Sequence, residues 1–174
     1  MLNSRLIPTI AILLAVTMPV GADEVTESAP YQDSYGRFEI AFPSRPKVVK
    51  STKKRTDGGI TATIRYWTGD ADSGWSVVCM IVPHDLETDA KATLPAGRDA
   101  AVKKLDGELL TSQETTVHGH FGLNFAIRLE DENIYRSRVF AVKNSLYQLI
   151  YVGGDGDVAA KETREFFDSF RLLK

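Results

Sequence analysis

Apolar and polar residues alternate over several stretches of this chain, which is the pattern of strands with one buried face. The alternation is clearest where Phe121, Leu123 and Phe125 share one face. Turn-forming residues separate successive stretches, and Asp57-Gly58 is typical of a tight hairpin turn. The pattern predicts strands over residues 37–42, 47–55, 60–68, 75–82, 108–117, 121–129, 134–142 and 146–152.

Residues 75–82 differ from the other predicted strands because they are apolar on both faces. A strand without a polar face needs cover on both sides, so it is predicted to lie in the interior of a sheet. Cys79, the only cysteine of the chain, falls within it. We therefore expect a buried, inert thiol, and a single cysteine leaves the chain without an internal disulfide.

Two further stretches have apolar residues at helical spacing. In the first, Pro95 is suited to the first turn of a helix and Gly107 to its C-terminal cap. In the second, over residues 158–170, Asp157 is suited to the N-terminal cap. Strands and helices together predict an α+β fold, with a mainly antiparallel sheet flanked by helices on both faces. We expect residues 37–174 to form one domain.

The N-terminus has the features of a secretory signal peptide. Arg5 precedes an apolar stretch, and small residues at Val20 and Ala22 match a cleavage site. The sequence therefore predicts a signal peptide over residues 1–22, followed by a flexible polar tether over residues 23–36. A secreted or periplasmic protein follows from this prediction, with no stable membrane span once the signal peptide has been removed.

Four short motifs occur in a recognisable order. Phe42-Pro43 ends the first predicted strand, a Gly-x-x-Gly segment covers residues 119–122, and a hairpin motif covers residues 138–149. A Phe-x-x-Ser-Phe motif follows at residues 166–170. In this order they resemble secreted bacterial domains with a PsbP-like α/β/α sandwich, a group that is mostly uncharacterised. The resemblance implies that fold and an extracytoplasmic setting, and it implies no catalytic residues.

Two of the three histidines, His118 and His120, are separated by a single glycine. If this segment is extended, both imidazoles point to one side of a strand and offer two ligands to Zn²⁺, Cu²⁺ or Ni²⁺. The alternative is structural: Gly119 and Gly122 shape a bend at the start of the strand that follows. The structural interpretation is the better supported, because a pair of histidines is an incomplete ligand set.

A cationic strip lies along the second predicted strand. An anionic partner of the cell envelope is one interpretation of this strip, and lysines that prevent aggregation of an edge strand are another. The formal net charge of −2, from 21 basic and 23 acidic residues, favours edge protection and gives no reason to expect nucleic acid as a partner. The strip consists of Lys47, Lys50, Lys53, Lys54 and Arg55.

The sequence contains no Gly-x-Ser-x-Gly motif, Walker loop or dinucleotide fingerprint. A hydrolase is therefore the least supported function, since no nucleophile and base can be paired. We predict a non-enzymatic, extracytoplasmic binding or scaffold domain without a cofactor, whose partner is an unknown envelope protein or small ligand. The alternative is a metal-handling domain that uses His118 and His120.

Overall fold

The computed structural model describes residues 30–54, 56, 58–70, 73–154 and 156–174, and for residues 157–160 it describes the backbone only. In chain order, the elements are β1 (Tyr31–Asp33), β2 (Phe38–Ile40), β3 (Lys47–Lys54), β4 (Ile60–Gly69), β5 (Ser73–Ile81), α1 (Ala90–Leu105), β6 (Glu108–Val117), β7 (His120–Arg128), β8 (Ile134–Val142), β9 (Ser145–Gly153), α2 (Asp157–Ser169) and β10 (Arg171–Leu172).

A seven-stranded sheet dominates the fold, with the strand order β3-β4-β5-β9-β8-β7-β6. Every neighbouring pair in it is antiparallel. A smaller sheet has the order β1-β2-β10. The prediction of an α+β protein with a mainly antiparallel sheet is confirmed, and β5 lies inside the sheet as its two apolar faces predict.

The buried side chains form two clusters, called here the first core and the second core. Val77 belongs to the first core and Val78 to the second, because successive side chains of a strand point to opposite faces. The first core contains Phe166 of α2 and Phe170, the residue that follows this helix. The second contains Leu94 and Ala101 of α1. The two helices therefore pack on different clusters.

The predicted limits of α1 are wrong at both ends. The helix begins at Ala90, so Pro95 lies in its interior, and burial of Ala90 and Leu94 favours the earlier start despite the proline. At the other end, the left-handed residue is Asp106 (φ 49°). Gly107 is required by close packing and not by a left-handed backbone, since a Cβ there would lie 2.6 Å from the carbonyl oxygen of Arg128.

The caps and strand limits elsewhere also differ from the prediction. Gly156 is the N-cap of α2 and Asp157 is the first helical residue, so Asp157 is not the cap. The β3–β4 hairpin is confirmed, and its last described pair is Lys54 with Ile60. Asp57 of the predicted tight turn lies outside the described residues, so that turn stays a prediction.

Part of the predicted tether belongs to the folded structure. Tyr31–Asp33 forms β1 and pairs with β2. The Tyr31 ring packs 6.0 Å from the Phe42 ring and 5.7 Å from the Tyr66 ring, between centroids, which explains why this polar segment is ordered. The predicted signal peptide and the tether up to residue 29 lie outside the described residues. Within the described part, no helix is both long and apolar enough to cross a membrane.

Candidate functional site

The segment that contains the paired histidines forms a tight hairpin turn between β6 and β7. Val117 pairs with His120, which leaves His118 and Gly119 as the two turn residues. Both have positive φ, 48° and 85°, as a type I′ turn requires. The extended geometry that would place both imidazoles on one side of a strand is therefore wrong, because only His120 lies in a strand.

The two glycines of this segment serve different geometric needs. Gly119 occupies the second turn position, where its positive φ strains other residues although the surrounding space is open. Gly122 lies under an aromatic ring, since a Cβ there would lie 2.4 Å from Cδ1 of Phe140 and 2.6 Å from the carbonyl oxygen of Val139. Both observations agree with a structural role for the Gly-x-x-Gly segment.

His120 contacts a carboxylate and not a second histidine. Its Nδ1 atom forms a hydrogen bond with Oε1 of Glu87, in the loop before α1. His118 is exposed at the turn. In the described part of the chain, no group of three or more His, Cys, Asp or Glu side chains is placed to hold a metal ion. Metal binding by His118 and His120 stays a prediction.

The cationic strip lies at an open edge of the large sheet. β3 pairs with β4 on one side, and no other described strand pairs with it. All eight of its residues are exposed. An edge strand of this length offers a row of backbone N–H and C=O groups to solvent. Arg55, the last member of the predicted strip, lies outside the described residues.

The register with β4 distributes the lysines of β3 over both faces of the sheet. Lys50 lies opposite Ile64, a residue of the first core, so its side chain is on the first-core face. Lys54, four residues on, shares that face. Lys47 and Lys53 alternate onto the second-core face. The four lysines therefore border the sheet from both sides and do not form a patch on one face.

Two of these lysines lie over aromatic rings. The Nζ atom of Lys47 is 5.1 Å from the centroid of Trp67, and that of Lys50 is 5.3 Å from the centroid of Tyr35. These are cation–π distances. No carboxylate of the described residues forms an ion pair with the four lysines. Their charge is thus not neutralised by the described part of the fold.

Large apolar side chains are exposed beside the lysines. Val48 is 42% exposed and Val49 is 55% exposed, and they point to opposite faces of β3. Ile60, opposite Lys54 at the start of β4, is 62% exposed. The β3 edge therefore combines lysines without an ion pair to the described residues, exposed apolar groups and an open backbone, which makes it the candidate site of this chain.

A comparison with solved structures identifies the fold of this chain. The chain is similar to cyanobacterial PsbP (CyanoP) from Synechocystis sp. PCC 6803, with a TM-score of 0.58. The likeness covers 92% of this chain and 99% of that one at 17% sequence identity. This chain has the PsbP-like fold. No family profile matches its sequence, and no curated protein does.

The only cysteine of this PsbP-like domain is buried. Cys79 is 1% exposed on β5, which confirms the predicted burial. Burial, with a smaller contribution from the nearby charge of Asp33, raises the pKa of its thiol to about 12. A thiol that stays protonated at neutral pH is a poor nucleophile.

The PsbP-like domain also contains a buried polar network that the sequence did not indicate. Nε2 of Gln148 on β9 donates to the Tyr135 hydroxyl at 3.0 Å and to Oγ of Ser137 at 3.1 Å. All three side chains are buried, and burial raises the pKa of Tyr135. Because the hydroxyls and the amide satisfy one another, this network stabilises the interior of the sheet.

Proposed function

We propose that this PsbP-like domain is an extracytoplasmic, non-enzymatic binding domain that docks a partner protein along β3. The observation that carries the proposal is the combination on one open edge of four lysines that form no ion pair with the described residues and two exposed valines. Edge protection alone explains the lysines. It does not explain why Val48 and Val49 are exposed between them, since apolar side chains at an open edge promote strand pairing.

The layer arrangement leaves β3 available for a partner. We infer that α1 and α2 cover opposite faces of the large sheet, within one domain over residues 37–174 that also includes β1. Alternation along β5 supports this, because adjacent residues belong to the two different cores. α1 contacts β7 and β8, and α2 contacts β2, β5 and β9. In these contacts neither helix reaches β3.

An extracytoplasmic location rests on the N-terminal sequence. Residues 1–22 match the charge, apolar stretch and cleavage pattern of a signal peptide. A single buried cysteine is compatible with an oxidising compartment, because it forms no internal disulfide and its thiol is not exposed. N-terminal sequencing of the protein from its own cell is expected to begin at Asp23, and an intact Met1 would contradict export.

The absence of catalysis is likewise a proposal. It is supported by the raised pKa and burial of Cys79, and by the use of the Tyr135, Ser137 and Gln148 side chains in a closed network. The alternative metal function has less support, since the turn at His118 removes the geometry on which it depended. Binding of a partner along β3 is therefore the function that the structure supports best.

Site-specific photo-crosslinking in intact cells tests this proposal. A photoreactive residue at Val49 of β3 is expected to give a discrete adduct. The same residue at the exposed Gln113 of β6, the opposite edge strand, is the matched control and is expected to give none. The double variant Lys50→Gln and Lys53→Gln should strongly reduce the Val49 adduct. Equal adducts at both edges, or an adduct unaffected by the lysine substitutions, would contradict the proposal.

A further inference from the structure

We propose that β3 binds an acidic, extended segment of a partner protein as an additional antiparallel strand of the sheet. This inference rests on the proposed function and specifies how the partner is held. The backbone supplies affinity in strand addition, and alternate side chains supply specificity. The open edge, the charge and the distribution of side chains on β3 each support this mode of binding.

The backbone groups along the outer edge of β3 are suited to pairing with an added strand. In an antiparallel ladder, every second residue of an edge strand directs both its N–H and its C=O away from the existing neighbour. β3 is paired with β4 over its full length, Lys47 to Lys54, so its outward groups form a continuous row. Its eight residues lie within the usual range of strand lengths, about 3–10 residues, and no described strand pairs with this edge.

The distribution of the lysines over both faces favours a polypeptide strand over a generic polyanion as the ligand. On the second-core face, Lys47 and Lys53 are six residues apart, about 20 Å along an extended strand. On the first-core face, Lys50 and Lys54 are about 13 Å apart. A polyanion lying on either face meets only two of these charges. A strand running along the edge presents side chains to both faces and reaches all four lysines.

The side chains of β3 determine which strand can bind to this edge. Lysines that repel a second copy of β3 attract an acidic strand, so the charges that prevent self-association also select the partner. Val48 and Val49, between Lys47 and Lys50 in the sequence, provide one apolar contact on each face. Trp67, whose ring lies under Lys47, borders the same edge and adds contact area on the second-core face.

These positions define a pattern for the ligand. In antiparallel register, carboxylates opposite the lysines and valines opposite Val48 and Val49 give the peptide Glu-Glu-Thr-Thr-Glu-Val-Val-Glu. This peptide is the probe, with its N-terminus opposite Lys54. A peptide of the same composition with its four glutamates in succession is the control, since it keeps the charge and loses the register.

Fluorescence anisotropy with the labelled probe measures the side-chain contribution. The protein is expected to bind the probe more tightly than the reordered peptide. Lys50→Gln with Lys53→Gln should weaken binding about fivefold or more, a fall in line with two partly exposed ion pairs. Lys103→Gln with Lys161→Gln makes the same charge change on α1 and α2 and should leave binding unchanged.

Two N-methylated probes test the backbone. One carries methyl groups on the odd residues and the other on the even residues, so the two have the same charge and side chains. Only one set of amides faces β3 in an added strand. Strand addition therefore predicts that one methylated peptide loses binding and the other retains it.

Several outcomes would overturn the inference. If both methylated peptides bind as well as the probe, the lysines hold the ligand without a ladder. If a sulfated polysaccharide competes for the same lysines more strongly than the probe, the ligand class is wrong. A failure of the probe to bind at all would also reject strand addition. The Val49 crosslink tests the proposed function independently, because it requires a partner at this edge but no particular backbone pairing.

Discussion

β3 and β5 are neighbours of the same strand, β4, and have opposite relations to the rest of the molecule. β5 has a strand on each side, and Val77 and Cys79 on it are fully buried. β3 has one neighbour among the described strands and is exposed along its full length. Both strands have similar side chains on their two faces, apolar in β5 and lysine-rich in β3. The comparison teaches that a strand lacking alternation is either enclosed by the fold or excluded from its core.

Two glycine substitutions are expected to show the largest difference in stability between the interior and the β3–β4 hairpin. Gly122→Val places a side chain against the Phe140 ring and the Val139 carbonyl, and should lower the free energy of unfolding by about 3 kcal/mol. Gly58, in the β3–β4 loop, has positive φ (83°) but open space around it, so Gly58→Ala should cost about 1 kcal/mol. Urea unfolding measures both, and equal losses would contradict the distinction.

One valine on β5 and one on β3 allow the stability contributions of the two strands to be compared directly. Val77→Ala removes buried methyl groups from the first core and should cost about 2 kcal/mol. Val49→Ala on β3 should change stability by about 0.5 kcal/mol or less, because that side chain is largely exposed. The same unfolding experiment is decisive here, since a loss above 1 kcal/mol for Val49→Ala would show that β3 is part of the core.

The buried thiol makes the β5 interior sensitive to alkaline pH. Cys79 and its cross-strand partner Tyr147 both have pKa values raised to about 12 by burial. Each is neutral when protonated, so its contribution to stability is full below its ordinary pKa and declines as pH rises from about 9 towards 12. Cys79→Ala should reduce this decline in a series of urea midpoints.

Thiol labelling gives an independent check on the same residue. The native protein should react slowly and the denatured protein quickly, because the reagent needs an exposed thiolate. Rapid labelling without denaturant would show that β5 is open to solvent and would weaken the contrast with β3.

The smallest effect is expected at the β6–β7 turn. Replacing His118 and His120 by glutamine removes one partly exposed hydrogen bond to Glu87, and should cost less than about 0.5 kcal/mol. Addition of Zn²⁺ or Cu²⁺ should leave the melting temperature of the native protein nearly unchanged. A marked rise with metal, lost in the double variant, would favour the metal-handling function instead.

Much of the fold was predictable because it depends on local periodicity. Alternation located the strands of the large sheet, and the two apolar faces of residues 75–82 placed β5 in its interior. Pro95 misled the prediction of α1, since burial of Ala90 and Leu94 is a tertiary effect that outweighs a proline's preference. β1 was missed because three residues in a polar segment carry no periodic signal.

The candidate site was only partly predictable for a related reason. The lysines of β3 were visible in the sequence as a strip, but their division between two faces follows from the register with β4. The absence of described ion-pair partners and the exposure of Val48 and Val49 depend on where distant segments lie. The positive φ of His118 was hidden, because His-Gly is a less common turn pair than Asn-Gly.

Amide hydrogen exchange of β3, with and without the acidic probe peptide, tests the central claim most directly. Strand addition predicts that alternate amides between Lys47 and Lys54, those that face away from β4, become protected when the peptide binds. The amides of β6, at the opposite edge, should exchange at unchanged rates. Binding that leaves the β3 amides unprotected, or that protects β6 instead, would contradict the account.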